Sequence, residues 1–307
     1  MTVNIAGRLL DFAEPMVMGI LNVTPDSFYA ASRTEGAEAV RTRAAQILAE
    51  GAAIIDVGAF STRPAAAEVT EEEEVRRLAG ALTVIRREWP ETLVSIDTFR
   101  ASVARRCIHD FGAAIINDVS GGSAAMFETV ADLRVPYILT HSGGKADDAI
   151  AAADTSAVGT DAAATAEHDD VTFMADMARF FAGRLQQLYE LGVADVILDP
   201  GFGFGKTQAQ NYVVMRHLAD LIALFPDNPM LVGISRKSMI WRLLDTTPDG
   251  ALNGTTVLNT LALQAGAHIL RVHDVREAVE AVRLVGRLKN SKIQRLKDSK
   301  PHSSFVI

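Results

Sequence analysis

Cysteine is almost absent: Cys107 is the only one in 307 residues, which excludes a disulfide framework and makes a reducing cytoplasm the expected setting. It falls in a helical pattern from Ala101 to Asp110, where a lone thiol reads as buried and structural rather than nucleophilic. No apolar stretch reaches 18 residues, so no membrane-spanning helix is expected. The amino terminus lacks the basic-then-apolar signature of a secretory leader, so no export is expected either. Positive charge is in deficit, with 30 Lys and Arg against 38 Asp and Glu and a net charge of −8. That balance argues against nucleic acid or an anionic membrane as partner. No Pro/Ser-rich linker divides the chain, and one domain is expected over residues 1–290.

What is present is a 49% hydrophobic content, ample for a large core, arranged in eight short apolar runs that each stop at a polar residue. The ends are Ile20-Leu21-Asn22, Ile54-Ile55-Asp56, Ser95-Ile96-Asp97, Ile115-Ile116-Asn117-Asp118, Ile138-Leu139-Thr140-His141, Ile197-Leu198-Asp199, Val232-Gly233-Ile234-Ser235 and Leu270-Arg271-Val272-His273-Asp274. Continuous apolar runs of this length suit strands buried on both faces, as in a parallel sheet. Between them lie segments of helical period, roughly 35–50, 71–89, 101–111, 123–133, 170–191, 207–225, 254–265 and 274–289. Junctions such as Phe111-Gly112-Ala113 and Ala265-Gly266-Ala267 place a glycine where a helix stops before the next strand. Eight βα units in series predict an α/β fold, a (β/α)8 TIM barrel, whose active site is built from the carboxyl ends of the strands. Thr70 and Glu73 have capping-box spacing at the start of the second helix. Residues 143–168, rich in Ala, Asp and Thr, read as a long mobile loop, and residues 291–307 as a flexible tail.

Asp97, Asn117 and Asp199 end three different strands and should face one barrel mouth. Two carboxylates and an amide without a Cys or His cluster make a poor zinc site but suit the N–H edge of a heterocycle such as an aminopyrimidine. Asp199-Pro200-Gly201-Phe202-Gly203-Phe204-Gly205-Lys206-Thr207 is not a phosphate-binding P-loop, because Pro200 stands where that pattern needs glycine. Its glycines are read as letting backbone approach a planar ligand, with Phe202 and Phe204 exposed. Ser235-Arg236-Lys237-Ser238 and Arg271-Val272-His273 bring cationic side chains to the same rim; Arg271 and His273, two apart, share a face and suit an anionic leaving group such as phosphate or diphosphate. The loops Asn22–Phe28 and Ser61-Thr62-Arg63-Pro64 carry proline and small polar residues, as lids on a rigid scaffold do. His109, His168 and His217 receive no chemical role.

These motifs, from Met18-Gly19-Ile20-Leu21-Asn22-Val23-Thr24-Pro25-Asp26-Ser27-Phe28 through Ser61-Thr62-Arg63-Pro64, Asp199 to Lys206 and Ser235 to Ser238 to Arg271-Val272-His273-Asp274, resemble those of the dihydropteroate synthases, in that family's order and over roughly residues 14–289. The resemblance implies a folate-pathway transferase, a sulfonamide target in the family, working as a cytoplasmic homodimer with Mg2+. Its reaction would join 4-aminobenzoate to (7,8-dihydropterin-6-yl)methyl diphosphate with release of diphosphate. By position, the resemblance puts Asp97, Asn117, Asp199 and Lys237 on the pterin, and Arg271, His273 and Asn22 on diphosphate, with Asn22 also meeting Mg2+. Thr62, Arg63, Pro64, Phe204, Lys237 and Ser238 would surround the aminobenzoate. Arg63, Lys237, Arg271 and His273 would take part in the chemistry. The chain departs from the family pattern at Ala30, where an aspartate is usual, at Phe60, where glutamate is usual, and at Thr140 and Ser142, where methionines are common. A pterin-binding methyltransferase acting on methyltetrahydrofolate and a corrinoid protein is the alternative within the barrel; a non-catalytic pterin-binding scaffold is a third reading.

Overall fold

The computed structural model describes residues 1–5, 7–23, 33–60, 69–143 and 162–298. An amino-terminal hairpin, β1 (Thr2–Ile5) and β2 (Arg8–Asp11), precedes the repeating part. The chain then runs β3 (Met16–Asn22), α1 (Arg33–Ala49), β4 (Ile54–Gly58), α2 (Glu71–Glu88), β5 (Leu93–Asp97), α3 (Ala101–Phe111), β6 (Ile115–Asp118), α4 (Ala124–Leu133), β7 (Tyr137–Thr140) and α5 (Ala162–Glu190). It continues through β8 (Val196–Asp199), α6 (Gln208–Arg216), α7 (Leu218–Leu224), β9 (Leu231–Val232), α8 (Ser238–Trp241), α9 (Leu252–Ala265), β10 (Ile269–Val272) and α10 (Val275–Asp298). Strands β3 to β10 form one parallel sheet in the order β8-β7-β6-β5-β4-β3-β10-β9, and a bridge between Leu198 and Met230 joins its two ends. The expected eight-stranded α/β barrel is therefore present, closed at a narrow seam.

Side-chain alternation explains both ends of the barrel. Met18, Ile54, Ile115, Ile138, Ile197, Leu231 and Ile269 point inward near the amino ends of their strands and pack as one cluster with Val3, Ile5 and Phe12. The hairpin thus plugs the bottom, and burying each such aliphatic side chain contributes about 1.5–3 kcal/mol. Two residues further along each strand the side chain points inward again. Those positions are Ile20, Asp56, Asn117, Thr140, Asp199, Gly233 and Arg271, and the same alternation carries Leu93 to Ser95 and Asp97. The opposite face packs against the helices: Val17, Leu21, Ile55, Val57, Val94, Ile96, Ile116, Leu139, Leu198 and Leu270 belong to that larger outer core. An apolar floor and a polar mouth come from one periodicity.

Local signals behave with three exceptions. Gly112 (φ 63°) and Gly266 (φ 108°) close α3 and α9 in the left-handed region, as their junction motif requires. The Thr70 hydroxyl accepts from the Glu73 amide at 3.3 Å, but Glu73 turns its carboxylate to Arg76 and Arg77, each at 2.7 Å, so only half of the expected capping box forms. The reciprocal box instead sits at Thr207 and Gln210 on α6. Residues 162–168, expected within a loop, are the first turns of α5; residues 144–161 lie outside the described residues. The expected tail from 291 is helical as far as Asp298, because α10 continues that far.

Candidate active site

The inward positions converge on a charge network across the barrel mouth. Arg271 on β10 gives its Nε to Asp56 Oδ2 on β4 at 2.6 Å and its Nη2 to Asp97 Oδ2 on β5 at 2.5 Å. Asn117 on β6 donates its Nδ2 to the same Asp56 oxygen at 3.1 Å. Beyond it, Asp199 on β8 accepts the Gly201 amide at 2.8 Å and the Thr140 hydroxyl at 3.4 Å. Two acceptors of this network, Asp56 Oδ1 and Asn117 Oδ1, are buried without a partner among the described residues. Leaving such oxygens dry costs about 1–3 kcal/mol apiece, so they are placed for donors that arrive from outside.

Asp56 is a site residue that the sequence analysis gives no role, although it ends its apolar run as Asp97 and Asp199 do; the strand itself continues to Gly58. Arg271, expected on a leaving group, is already held by two carboxylates; among the described residues its Nη1 makes no hydrogen bond and remains to meet an anion. Burial alone would lower the Arg271 pKa, but Asp56 and Asp97 outweigh it and keep the guanidinium firmly charged. Burial raises Asp97 above the usual carboxylate range, with Arg271 opposing and Asp56 reinforcing. Burial also raises Asp199.

The β9 side of the mouth is shaped by a strained residue. Arg236 has φ 57°, uncommon for a side chain of its size, and its guanidinium grips both oxygens of Asp274, at 3.0 and 2.6 Å. That turn faces Lys237 into the mouth, where its Nζ stands 4.1 Å from the centre of the Phe204 ring. Burial, then Arg271, lowers Lys237 to about 8. Ser238 follows at the start of α8. His273 is not the cation expected: burial, then Arg271, holds it down at about 4. Its amide donates to Ser235 Oγ at 3.1 Å, and that hydroxyl lies 3.1 Å from Nδ1, placed to give its proton there and leave Nε2 as a donor. Arg43 of α1 donates to the His273 carbonyl at 2.5 Å. A polar cavity opens here, lined by Asn22, Arg43, Arg236, His273 and Asp274 among others.

The glycine-rich turn differs from its sequence reading. Phe202 is fully buried in the outer core and only Phe204 is partly exposed, so one aromatic, not two, faces the mouth. Gly201 and Gly205 (φ 68° and 57°) serve a close approach of backbone to backbone: a Cβ on either would collide with the carbonyl of His141 or of Gly143. The approach is to the end of β7 rather than to a planar ligand. His141, just past the end of β7 and facing outward, packs its ring edge-on against Phe180, 4.9 Å between centres.

Burial, reinforced by Lys206, lowers His141 to about 3 from an ordinary 6.5. As pH falls through 6.5 the unfolded chain takes up this proton first, so stability present above 6.5 is lost on the way toward 3, by up to about 1.4 kcal/mol per pH unit. In His141→Gln this slope should be missing. Urea unfolding at pH 7 and pH 4.5 checks it: the gap between wild type and variant should narrow at the lower pH, and a constant gap would refute the assignment.

For a metal, Asn22 is the relevant side chain. Its Oδ1 and the Asp97 side chain both border Gly58, within 3.6 Å of where a Cβ would stand. Among the described residues no group of three or more His, Cys, Asp or Glu forms a cage. One amide oxygen without a cage suits Mg2+ that brings most of its ligands as phosphate oxygens and water, and it suits zinc poorly.

A family model described as pterin binding enzyme matches residues 18–273. The Escherichia coli K12 dihydropteroate synthase is 39% identical over 282 residues, covering 91% of this chain and 93% of its own, and that of Bacillus subtilis is 33% identical over 279 residues, 90% and 89%. The chain belongs to the dihydropteroate synthase family. Among solved structures, the Yersinia pestis dihydropteroate synthase with a sulfonamide drug superposes with a TM-score of 0.80 at 34% identity, covering 94% of this chain and 100% of that one. The Xanthomonas albilineans dihydropteroate synthase with 4-aminobenzoic acid superposes with 0.78 at 35%, covering 94% and 98%.

Of the residues that the family motifs single out, Asn22, Asp97, Asn117, Asp199, Phe204, Lys237, Ser238, Arg271 and His273 all stand around this mouth. Thr62, Arg63 and Pro64 lie outside the described residues, as does Ala30. Phe60, at the family's usual glutamate position, packs against Phe99 with ring centres 5.4 Å apart, beside the Arg100 guanidinium. Thr140 bonds to Asp199, so that departure adds a polar contact within the mouth. Cys107 is buried and its thiol is pushed up to about 12 by burial, which keeps it an inert thiol.

Proposed function

We infer that the protein joins 4-aminobenzoate to (7,8-dihydropterin-6-yl)methyl diphosphate, giving 7,8-dihydropteroate and diphosphate. The observation that carries this reading is the pair of unpartnered buried acceptors, Asp56 Oδ1 and Asn117 Oδ1, on the strands either side of Asp97. Such a row of acceptors fits the amino and ring N–H donors of a pterin edge. Lys237 beside Phe204 and Ser238 are assigned to the aminobenzoate together with Thr62, Arg63 and Pro64. The methyltransferase alternative would leave unused the Arg271 Nη1 and His273 Nε2 donors.

The carbon–oxygen bond to diphosphate breaks with both electrons leaving on oxygen, the electron-rich pterin stabilising the cationic methylene. The amine nitrogen of 4-aminobenzoate then bonds to that carbon and loses a proton. No protein nucleophile is required. The barrier falls because Arg271 and neutral His273 stabilise the departing anion. Asn22 would hold Mg2+, which, when bound, neutralises diphosphate charge. Diphosphate release requiring both substrates together is the expected result of a coupled assay; release with the pterin alone at the same rate would refute the transfer.

Assembly and setting are further parts of the reading. Val257 and Leu261 on α9 and Leu284 on the neighbouring α10 are 51%, 46% and 69% exposed, an apolar face that suits a homodimer. Sedimentation at micromolar concentration should give twice the monomer mass. Among the described residues no helix is long and apolar enough to cross a membrane. The single thiol and acidic charge balance support a cytoplasmic protein with small-molecule substrates, not nucleic acid.

A further inference from the structure

We propose that Lys206 is a positioning residue for the aminobenzoate half of the site, its buried ammonium tying the turn after β8 to the end of β7 and so fixing Phe204 beneath Lys237. The proposal rests on the reading that Phe204 and Lys237 border the aminobenzoate.

Lys206 is 7% exposed, and its Nζ donates to three backbone carbonyls: His141 at 2.8 Å, Gly201 at 2.9 Å and Phe204 at 3.2 Å. An ammonium has three N–H donors, and all are used. No carboxylate among the described residues forms an ion pair with it, so this is a buried charge neutralised by carbonyl dipoles, an arrangement costly to keep. Burial accordingly lowers the lysine to about 7, with Asp199 opposing. The three carbonyls belong to two segments about sixty residues apart in sequence, which meet where Gly143 and Gly205 touch backbone to backbone.

The two halves of the site depend on this knot unequally. Asp199 is fixed by the sheet itself, since its carbonyl accepts the His141 amide at 2.8 Å and the preceding Leu198 amide reaches the Pro229 carbonyl at 2.8 Å. Phe204 has no strand to hold it. Its amide reaches Gly201 at 3.1 Å, its carbonyl takes Gly143 at 3.4 Å, and Lys206 supplies the remaining backbone contact. The buried Asn211 holds the turn from below through the Gly203 amide at 2.7 Å. Loss of the ammonium should therefore displace Phe204 and spare Asp199.

The test compares Lys206→Ala with wild type as the intact enzyme. The KM for 4-aminobenzoate is expected to rise tenfold or more while the Kd for the pterin diphosphate changes less than threefold. Ammonium chloride should recover at least half of that rise on a logarithmic scale, because the free ion fits among the three carbonyls; tetramethylammonium chloride at equal ionic strength should not. A lysine that merely stabilised the fold would give neither the split nor the ion-specific rescue. An unchanged KM, equal losses for the two ligands, or no ammonium rescue overturns the proposal. Should Lys206→Ala not fold, Gly143→Ala carries the test: its Cβ would come 2.7 Å from the Gly205 carbonyl and wedge the same segments apart with Lys206 intact. The same selective rise is expected there, and none overturns the proposal. Phe204→Ala separates the two levels. No change in aminobenzoate KM there refutes the subsite reading, whereas a rise there with none in Lys206→Ala refutes only the positioning role.

Discussion

Arg271→Ala is expected to lower turnover by on the order of 10²–10³ or more, the usual cost of removing a charge stabiliser from a site that excludes water. The structure adds a second cost. Asp56 and Asp97 share this guanidinium, at 2.6 and 2.5 Å, and would be left facing one another without it. Removing one partner from a buried ion pair costs about 3–5 kcal/mol, so the variant should melt earlier and should recover stability at low pH as a carboxylate takes up a proton. Arg271→Lys should restore much of the stability, since a cation returns, but little of the turnover, since an ammonium cannot span both carboxylates and an anion with fixed fork geometry. Steady-state turnover and thermal melting of both variants test this. Turnover within fivefold of wild type in Arg271→Ala would remove the residue from the chemistry.

In Asp56→Asn the expected loss is in pterin diphosphate affinity, by about 10- to 150-fold, corresponding to the roughly 1.5–3 kcal/mol of one charge-assisted hydrogen bond. The amide keeps the shape but cannot accept with the same strength, and its NH2 group cannot serve Arg271. The aminobenzoate KM measured at saturating pterin should change far less. Calorimetry showing unchanged pterin affinity would move the acceptor row elsewhere.

Asp56 also marks where sequence reading stopped. The stops at Asp97, Asn117 and Asp199 reveal the barrel and its mouth, because alternation along a strand is a local property. That Arg271, 215 residues from Asp56, reaches it over the intervening strand β3 is not local, so its two carboxylate partners are not legible in the sequence. His273 has the same limit: its parity is legible, but its neutral state depends on burial and on Arg271. Phe202 and Phe204 look alike in the motif, and only the left-handed turn at Gly201 and Gly203 decides that one enters the core. The hairpin Thr2–Asp11 is not legible because its strands, Thr-Val-Asn-Ile and Arg-Leu-Leu-Asp, lack the continuous apolar run that marks the barrel strands. Lys206 was legible as a residue but not as a cation surrounded by carbonyls.

The narrow closure of the barrel has a consequence for how ligands and folding interact. Strand β9 has two residues, and a lone bridge joins its neighbourhood to β8, so this seam has the fewest ladder bonds around the ring. Local opening requires least work where least hydrogen bonding is broken, which makes the seam the weak stave of the barrel. Asp199 stands on one side of it and Lys237 on the other. A bound molecule gripped by both acts as a hoop: each opening would have to release it first, so occupancy should slow amide exchange at the seam more than on the opposite wall near β5 and raise the melting temperature with ligand concentration.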